Sequence, residues 1–230
     1  MVPRCLVCIL SQRLIAIGDI HGCRVALEEL LQWIAPTQDD ILVTLGDYVD
    51  RGPDAKGVVE VLLELGKNTQ MVPLMGNHEE MMLDVLDGRE SHHGWLRYGG
   101  VETLESYGFD GDMDFLPEEH SQFYRDLHDY FETDQFFFTH AAYDPGTDFA
   151  EQTIEMLRWH SLRQGIPGPH MSGKTAVVGH TANHEGEVFD VGHLVCIDTF
   201  CYGGGYLTAI DLHSRQTWQV DGQGQRRAPA

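Results

Sequence analysis

Three short stretches of the chain place acids, histidines and an asparagine directly after apolar runs. They are GDIHG at residues 18–22, GDYVDRG at 46–52 and GNHE at 76–79. Taken singly, an Asp or Asn in such a place is commonly a turn or helix-cap residue. Carboxylates, imidazoles and an amide carbonyl, without a thiolate, are also the donors that Mn²⁺, Fe, Zn²⁺ or Mg²⁺ use in proteins. The threefold repetition of the pattern favours a metal site.

The secondary structure predicted around these stretches brings them together. RLIAIGD, DILVTLGD and MVPLMGN read as strands, and each is followed by a segment with apolar residues at helical spacing. This βαβαβα order predicts parallel strands joined by crossover helices. Parallel strands end at the same edge of a sheet, so the three stretches should converge there. One carboxylate could then bridge two ions roughly 3.5–4 Å apart, as in two-metal hydrolytic sites.

The second half of the chain has a different pattern. PEEHSQFYRDLHDYF predicts a helix with Pro117 near its first turn, and five strand-like runs follow from Gln135 onward: QFFFTHA, TAVVGH, LVCID, YLTAIDL and RQTWQV. His140 and His180 end two of these strands. We therefore expect an α/β fold, a two-sheet β-sandwich flanked by helices, as a single domain over residues 1–230.

The net charge limits the classes of binding partner, and the cysteine content indicates the cellular compartment. A net charge of -21 argues against nucleic acid and anionic membranes, since phosphate binding requires a basic surface. No apolar run reaches about 18 residues, so no membrane span is expected, and the apolar N-terminus is interpreted as a ragged strand rather than a signal peptide. Cys5 and Cys8 have C-x-x-C spacing without a second pair. Five cysteines, an odd number that makes no disulfide framework, favour the reducing cytoplasm.

The three motifs, spaced by about one βα unit each, resemble the signature of the metallophosphoesterases. The Asp-Arg-Gly ending of the second motif points to the phosphoprotein phosphatase family within that superfamily. WLRYGGVETLESYG, FTHAAYDP, VVGHT and CIDTFCYGGGYLTAIDL also resemble its bacterial and phage members. The similarity runs from about Leu14 to Gln219. It implies the calcineurin-like fold and two divalent metal ions. Mn is the expected metal, and Fe, Zn and Mg are the alternatives.

The resemblance also implies metal-binding roles for six residues. The first ion would be held by Asp19, His21 and Asp47. The second ion would be held by Asp47 as the bridge, Asn77, His140 and His180.

Catalytic and substrate-binding roles follow from the same resemblance. A hydroxide shared by the ions would attack phosphorus, and His78 would protonate the leaving oxygen while Asp50 holds it in its charged form. Arg51 would bind the phosphate oxygens. The family's second phosphate-binding arginine falls in EMLRWHSLRQG, which does not match the family pattern cleanly. Arg158, beside Trp159, is the predicted residue, and Arg163 is the alternative.

Three functions are consistent with these residues. The first is a metal-dependent phosphatase acting on phosphomonoesters, with phosphoserine or phosphothreonine in proteins, or a small phosphoester, as substrate. The second is a symmetrical diadenosine tetraphosphate hydrolase, for which 230 residues is short. The third is an inactive phosphate- or metal-binding scaffold, against which the complete set of acid, bridge and arginine argues. The loops that bind the rest of a substrate carry no readable pattern.

Overall fold

The computed structural model of the protein describes residues 12–228. Within that range the chain forms ten strands and seven α-helices. The strands are β1 (Leu14–Ile17), β2 (Ile41–Thr44), β3 (Gln70–Pro73), β4 (Tyr130–Glu132), β5 (Phe136–Thr139), β6 (Thr175–Val178), β7 (Phe189–Asp190), β8 (Leu194–Cys196), β9 (Tyr206–Asp211) and β10 (Thr217–Asp221). The helices are α1 (Arg24–Ile34), α2 (Ala55–Gly66), α3 (Asn77–Leu86), α4 (His92–Trp95), α5 (Val101–Tyr107), α6 (Glu118–Arg125) and α7 (Ile154–Arg158).

The strands form two five-stranded mixed sheets. The first has the order β10-β9-β1-β2-β3, and the second has the order β4-β5-β6-β8-β7. β1, β2 and β3 are parallel, as are β5, β6 and β8, whereas β9 and β10 in the first sheet and β4 and β7 in the second pair antiparallel with their neighbours. The predicted two-sheet α/β architecture is confirmed. The site motifs follow the C-terminal ends of strands in these two sets of three parallel strands.

The core has layers that follow the alternation of side chains along the strands. In β1, Leu14 and Ala16 face the interior between the sheets, where they join Val43, Phe138 and Val177. Ile15 and Ile17 face the opposite side and pack with the apolar faces of the helices. A third cluster covers the outer face of the second sheet. Both faces of the central strands are therefore buried, which holds their C-terminal ends in place.

The helix predicted across PEEHSQFYRDLHDYF is wrong in its second half. α6 ends at Arg125, and Tyr130–Glu132 forms β4 instead. Tyr130 and Phe131 pair antiparallel with Thr139 and Phe138 of β5, so strand pairing outweighs the helical spacing. The short strand β7 was also not predicted. The N-terminal strand expectation and the C-x-x-C pair of Cys5 and Cys8 lie outside the described residues.

The helices between residues 12 and 228 are all too short or too polar to cross a bilayer.

Candidate active site

Four donor atoms converge where β2, β3, β5 and β6 end. His140 Nε2 lies 3.0 Å from Asn77 Oδ1, 3.2 Å from His180 Nδ1 and 3.5 Å from Asp47 Oδ1. His180 Nδ1 lies 3.0 Å from Asn77 Oδ1. Spacings near 3 Å between oxygen and nitrogen donors on several elements are those of ligands around one small ion. The residues predicted for the second ion are thus brought together.

The other carboxylate oxygen of Asp47 faces a second group of donors. Asp47 Oδ2 lies 3.3 Å from His21 Nε2 and 4.0 Å from His78 Nε2, and ligand atoms of these three residues lie within 4.8 Å of one another. Asp19, predicted as a ligand here, is buried at the same edge, where its carboxylate accepts the His180 backbone N–H at 3.0 Å. Asp47 therefore lies between two clusters, one facing each of its oxygens.

The hydrogen bonds of the three predicted ligand histidines leave one ring nitrogen of each facing the centre. His21 Nδ1 lies 2.9 Å from the Val49 carbonyl oxygen, and His140 Nδ1 lies 2.7 Å from that of Leu45. His180 uses Nε2, which lies 3.1 Å from the Trp159 carbonyl oxygen. A carbonyl only accepts, so each of these nitrogens carries the proton. Ligating histidines in metalloproteins typically donate their other N–H in this way.

Protonation states of Asp47, His140 and His180 also suit a metal ion. Burial opposes ionisation of Asp47, but the positive charge that His140, His78 and His21 carry when protonated outweighs it and holds the pKa of Asp47 well below its usual range. Burial, together with His140, lowers the pKa of His180 to about 3, and burial lowers the pKa of His140 as well. Ionised carboxylate and neutral imidazole are the forms that bind metals.

Three carboxylates are crowded at this edge of the sandwich. Burial, followed by the charges of Asp198 and Asp47, raises the pKa of Asp19 well above its usual range. Burial likewise raises the pKa of Asp198. Buried like charges are costly unless a cation compensates them. The donor set and this crowding both fit a site for divalent cations.

The backbone is strained at the residues of this site. Five predicted site residues have a left-handed φ although none is glycine: His21, Asp47, Asp50, Arg51 and His180. Such values are uncommon for non-glycine residues and cost of order 1–3 kcal/mol when the conformation is strained. Glycine provides the space around them, since a Cβ on Gly76 would collide with Asp47 Oδ1 and one on Gly179 with Asp19 Oδ1.

His78 and Asp50 form a buried pair beside Asp47. His78 Nδ1 lies 2.6 Å from Asp50 Oδ2, so Nδ1 donates its proton to the carboxylate and Nε2 faces the centre. Asp50 is itself fixed by Trp95 Nε1 at 2.9 Å and by Thr103 Oγ1 at 2.7 Å. This is an imidazole oriented by a third group, the arrangement expected of a general acid.

The predicted phosphate-binding arginines have different environments. Arg51 Nη1 lies 3.3 Å from His21 Nε2, at the centre of the site. Arg158 is engaged elsewhere: it forms an ion pair with Asp129, and its Nη1 lies 3.2 Å from Glu80 Oε2. Arg163 donates to the Ala182 carbonyl oxygen at 2.7 Å. The role of Arg158 as a second phosphate-binding residue stays a prediction.

Sequence reasoning missed several residues that complete the site. Asp198 follows β8 and could have been found by the same strand-end signal that identified Asp19 and His140. Trp95 and Thr103 lie within WLRYGGVETLESYG, where nothing in the sequence pairs them with Asp50. Glu79 lies in the first turn of α3, where acids are favoured, and accepts the Gly76 N–H at 3.1 Å.

Glu79 also holds the second motif, a role that its helix position did not predict. Its two carboxylate oxygens accept the backbone N–H groups of Asp47, Tyr48 and Val49 at 2.9, 2.7 and 3.1 Å. Burial, with the charge of Asp47, raises the pKa of Glu79 to about 8. The loop that presents Asp47 is therefore anchored to α3 through one buried side chain.

Replacing Glu79 by Gln is expected to destabilise the fold by roughly 2–6 kcal/mol. The amide substitutes a donor for one acceptor oxygen, which leaves two buried N–H groups unpaired at about 1–3 kcal/mol each. Urea unfolding measures the loss. Glu80→Gln is the matched control: Glu80 pairs with Arg158 near the surface, so its loss should stay below about 1 kcal/mol. Equal losses in the two variants would contradict the anchoring role.

Two layered mixed sheets with clustered Asp, His and Asn donors at one edge define a metal-dependent hydrolase of the phosphoesterase class. The family model described as "Calcineurin-like phosphoesterase" matches residues 12–190. The chain therefore belongs to the calcineurin-like metallophosphoesterase family.

Two curated relatives differ in the substrate that their names state. The chain is 40% identical over 85 residues to serine/threonine-protein phosphatase 1 of Salmonella typhimurium, a match covering 36% of this chain and 37% of that protein. It is 42% identical over 74 residues to a symmetrical bis(5'-nucleosyl)-tetraphosphatase of Pectobacterium atrosepticum, a match covering 31% and 25%. The matched regions thus span well under half of either relative.

Solved structures agree on the fold over nearly the whole chain. A crystal structure described as a candidate diadenosine tetraphosphatase aligns with a TM-score of 0.70 at 23% identity, covering 92% of this chain and 94% of the other. A cold-active protein-tyrosine phosphatase of a Shewanella species aligns with a TM-score of 0.67 at 17% identity, covering 94% and 80%. At these identities the similarity establishes the fold alone.

Proposed function

We propose that this chain, as a single domain, is a dinuclear-metal-dependent phosphatase that hydrolyses phosphomonoesters, chiefly phosphoserine and phosphothreonine in proteins. The buried His78–Asp50 pair beside Asp47 carries the proposal. A scaffold that only binds metal or phosphate needs ligands, but it has no need of an imidazole oriented as a proton donor. The position of His78 at the edge of both ligand clusters suits reaction at a phosphoryl group.

The side chains of the site have distinct roles in this proposal. The six predicted ligands, Asp19, His21, Asp47, Asn77, His140 and His180, would hold two ions, with manganese proposed for their mixture of oxygen and imidazole donors and Fe, Zn or Mg as alternatives. Bound ions would supply positive charge to the phosphate and lower the pKa of the attacking water. Arg51 binds the phosphate oxygens. Asp50 orients His78, whose Nε2 delivers a proton to the leaving oxygen.

The distribution of charge favours a single phosphoryl group over a tetraphosphate. Arg24 is paired with Glu28 and Asp54, and Arg158 is paired with Asp129 and Glu80. Of the two other arginines considered for phosphate, neither forms an ion pair among residues 12–228: Arg51 lies at the centre of the site, and Arg163 donates to the Ala182 carbonyl oxygen. The net charge of -21 adds long-range repulsion that grows with the charge of the substrate. Symmetrical hydrolysis of diadenosine tetraphosphate is the second candidate, supported by the names of several curated relatives.

The setting proposed for this activity is the cytoplasm. Cys23, Cys196 and Cys201 are free thiols, which suits a reducing compartment. We propose phosphorylated proteins or small phosphoesters as the partners, and neither nucleic acid nor membrane, since the protein is strongly acidic.

Steady-state rates on two substrates test the proposal. With Mn²⁺ supplied, kcat/KM should be higher for a phosphoserine peptide than for diadenosine tetraphosphate, because only one phosphoryl group has to be accommodated. Released phosphate and released ADP measure the two reactions separately. A higher kcat/KM for diadenosine tetraphosphate would support the second candidate. Hydrolysis of neither substrate with any of the four metals would contradict both.

A further inference from the structure

Tyr202 lies on a single 3-10 turn, Cys201–Gly203, and faces Arg51. Its hydroxyl accepts a hydrogen bond from Arg51 Nη1 at 2.8 Å, and the guanidinium carbon lies 4.7 Å from the Tyr202 ring centroid. The ring also packs edge-on against His21, with 4.8 Å between centroids. We infer that Tyr202 is a positioning residue that holds the Arg51 guanidinium in place for phosphate, an inference that rests on the proposed function.

The partner of Arg51 differs in charge from the partners of Arg24 and Arg158. Carboxylates hold Arg24 and Arg158, and their positive charge is thereby neutralised. No ion pair among residues 12–228 includes Arg51, so the neutral hydroxyl of Tyr202 orients this side chain without offsetting its charge. Ionised phosphate gains most from a guanidinium that is oriented and still fully charged. Tyrosine at position 202 meets both requirements.

A second contact of Arg51 competes with metal binding, whereas the contact with Tyr202 does not. Arg51 Nη1 also lies 3.3 Å from His21 Nε2. Since His21 Nδ1 donates its proton to Val49, the lone pair of His21 is on Nε2, the nitrogen assigned to a metal ion. One lone pair cannot serve an arginine and a metal ion together. The Tyr202 hydroxyl is the partner of Nη1 that remains compatible with ligation.

The turn that presents Tyr202 is held in one conformation. Phe200 has a left-handed φ of 65°, and its ring stacks on His184 with 4.2 Å between centroids. A Cβ on Gly203 would collide with the Phe200 ring, and one on Gly205 would collide with the Thr199 carbonyl oxygen. Gly203 and Gly205 are therefore required by close packing, and Gly204 is favoured by its left-handed φ of 100°. A fixed turn removes rotamer freedom before substrate arrives, which lowers the entropic cost of binding.

The experiment measures the affinity of the Mn²⁺-loaded protein for inorganic phosphate by calorimetry, together with KM and kcat for phosphoserine peptide. Tyr202→Phe keeps the ring and removes the acceptor, so the dissociation constant for phosphate should rise roughly 5- to 30-fold, as expected for loss of one hydrogen bond to a charged group. KM should rise in parallel while kcat changes little, because Arg51 holds the phosphate before and during reaction. Tyr206→Phe, whose ring packs on Arg227, is the matched control and should leave both unchanged.

A double-mutant cycle separates positioning from direct contact with phosphate. In an Arg51→Ala background, Tyr202→Phe should cause no further loss of phosphate affinity. An unchanged affinity in the single variant overturns the inference, and so does an equal loss in both backgrounds, which would mean that Tyr202 contacts phosphate itself. A wild-type protein that neither binds phosphate nor hydrolyses the peptide contradicts the proposed function, and the inference fails with it.

Discussion

Asp47→Asn is expected to remove at least one metal ion and to lower phosphatase activity more than ~100-fold. Asp47 Oδ1 faces His140 and Oδ2 faces His21, so one carboxylate serves both clusters. The amide keeps one oxygen and replaces the other with a donor that cannot ligate. Substituting even the groups that orient ligands costs roughly 10- to 100-fold in metal affinity or activity. Loss of a shared ligand should have a larger effect than this, since only the neutral ligands Asn77, His140 and His180 would remain for the second ion.

Elemental analysis of the purified variant and of the wild type measures this loss directly. The wild type should hold two ions per chain after incubation with Mn²⁺, and the variant should hold one or none. Asp40→Asn is the control, because Asp40 is also buried but pairs with Arg13 at 2.9 Å, away from the site. That variant should lose stability and keep both ions. Two ions and full activity in Asp47→Asn would show that Asp47 is not the bridge.

The parallel half of the fold was predictable because its signals are local. Apolar runs such as those of β1 and β2 alternate with helical spacing, and a Gly or Asp marks where each ends. β4 was not predictable in this way: Tyr130 and Phe131 continue a helical pattern, and only β5, a partner not visible from local sequence, makes the strand more favourable. β9 and β10 read correctly as strands, yet their joining the first sheet depends on pairing between β9 and β1 across almost 200 residues.

The convergence of the predicted site residues came from their types and from parallel topology, which brings strand ends together, whereas their individual roles came from the resemblance to the metallophosphoesterases. What holds them did not come from that reasoning. Glu79 reaches back from α3 to three backbone N–H groups of the second motif, and Trp95 reaches Asp50 from a separate helix. Both contacts depend on long-range packing that has no spacing rule in the sequence. The left-handed φ of Asp47 is equally hidden, since only the neighbouring glycines signal a tight turn there.

Arginine roles were the least predictable part. A guanidinium reaches far from its Cα, so the partner it selects depends on which acids lie near it in the folded chain. Arg158 was identified by its neighbour Trp159, but the fold places it against Asp129 and Glu80. Arg51 lies within the second motif itself, in a turn where its own φ is left-handed at 68°. The structure places Arg51 at the centre of the site, with its Nη1 3.3 Å from His21 Nε2, and the phosphate-binding role of Arg158 stays a prediction.

His78→Asn is expected to keep its metal ions and to lose activity in proportion to the basicity of the leaving group. A serine alkoxide cannot depart easily without a proton, and a positioned acid is worth roughly 10² to 10⁴ in rate. Nitrophenolate is a weak base and needs little help. The variant should therefore lose activity by that factor on a phosphoserine peptide and only a few-fold on p-nitrophenyl phosphate.

The difference between the two substrates is what separates a proton donor from a metal ligand. His78 Nε2 lies 4.0 Å from Asp47 Oδ2, close enough that the imidazole could instead be a metal ligand together with His21 and Asp47. A ligand role would lower metal content and both rates together, whereas an acid role leaves metal content unchanged and spares the good leaving group. His193→Asn, which removes an imidazole bonded to the Pro167 carbonyl, is the control and should affect neither rate. Equal losses on both substrates, with both ions still bound, would show that His78 is not the acid.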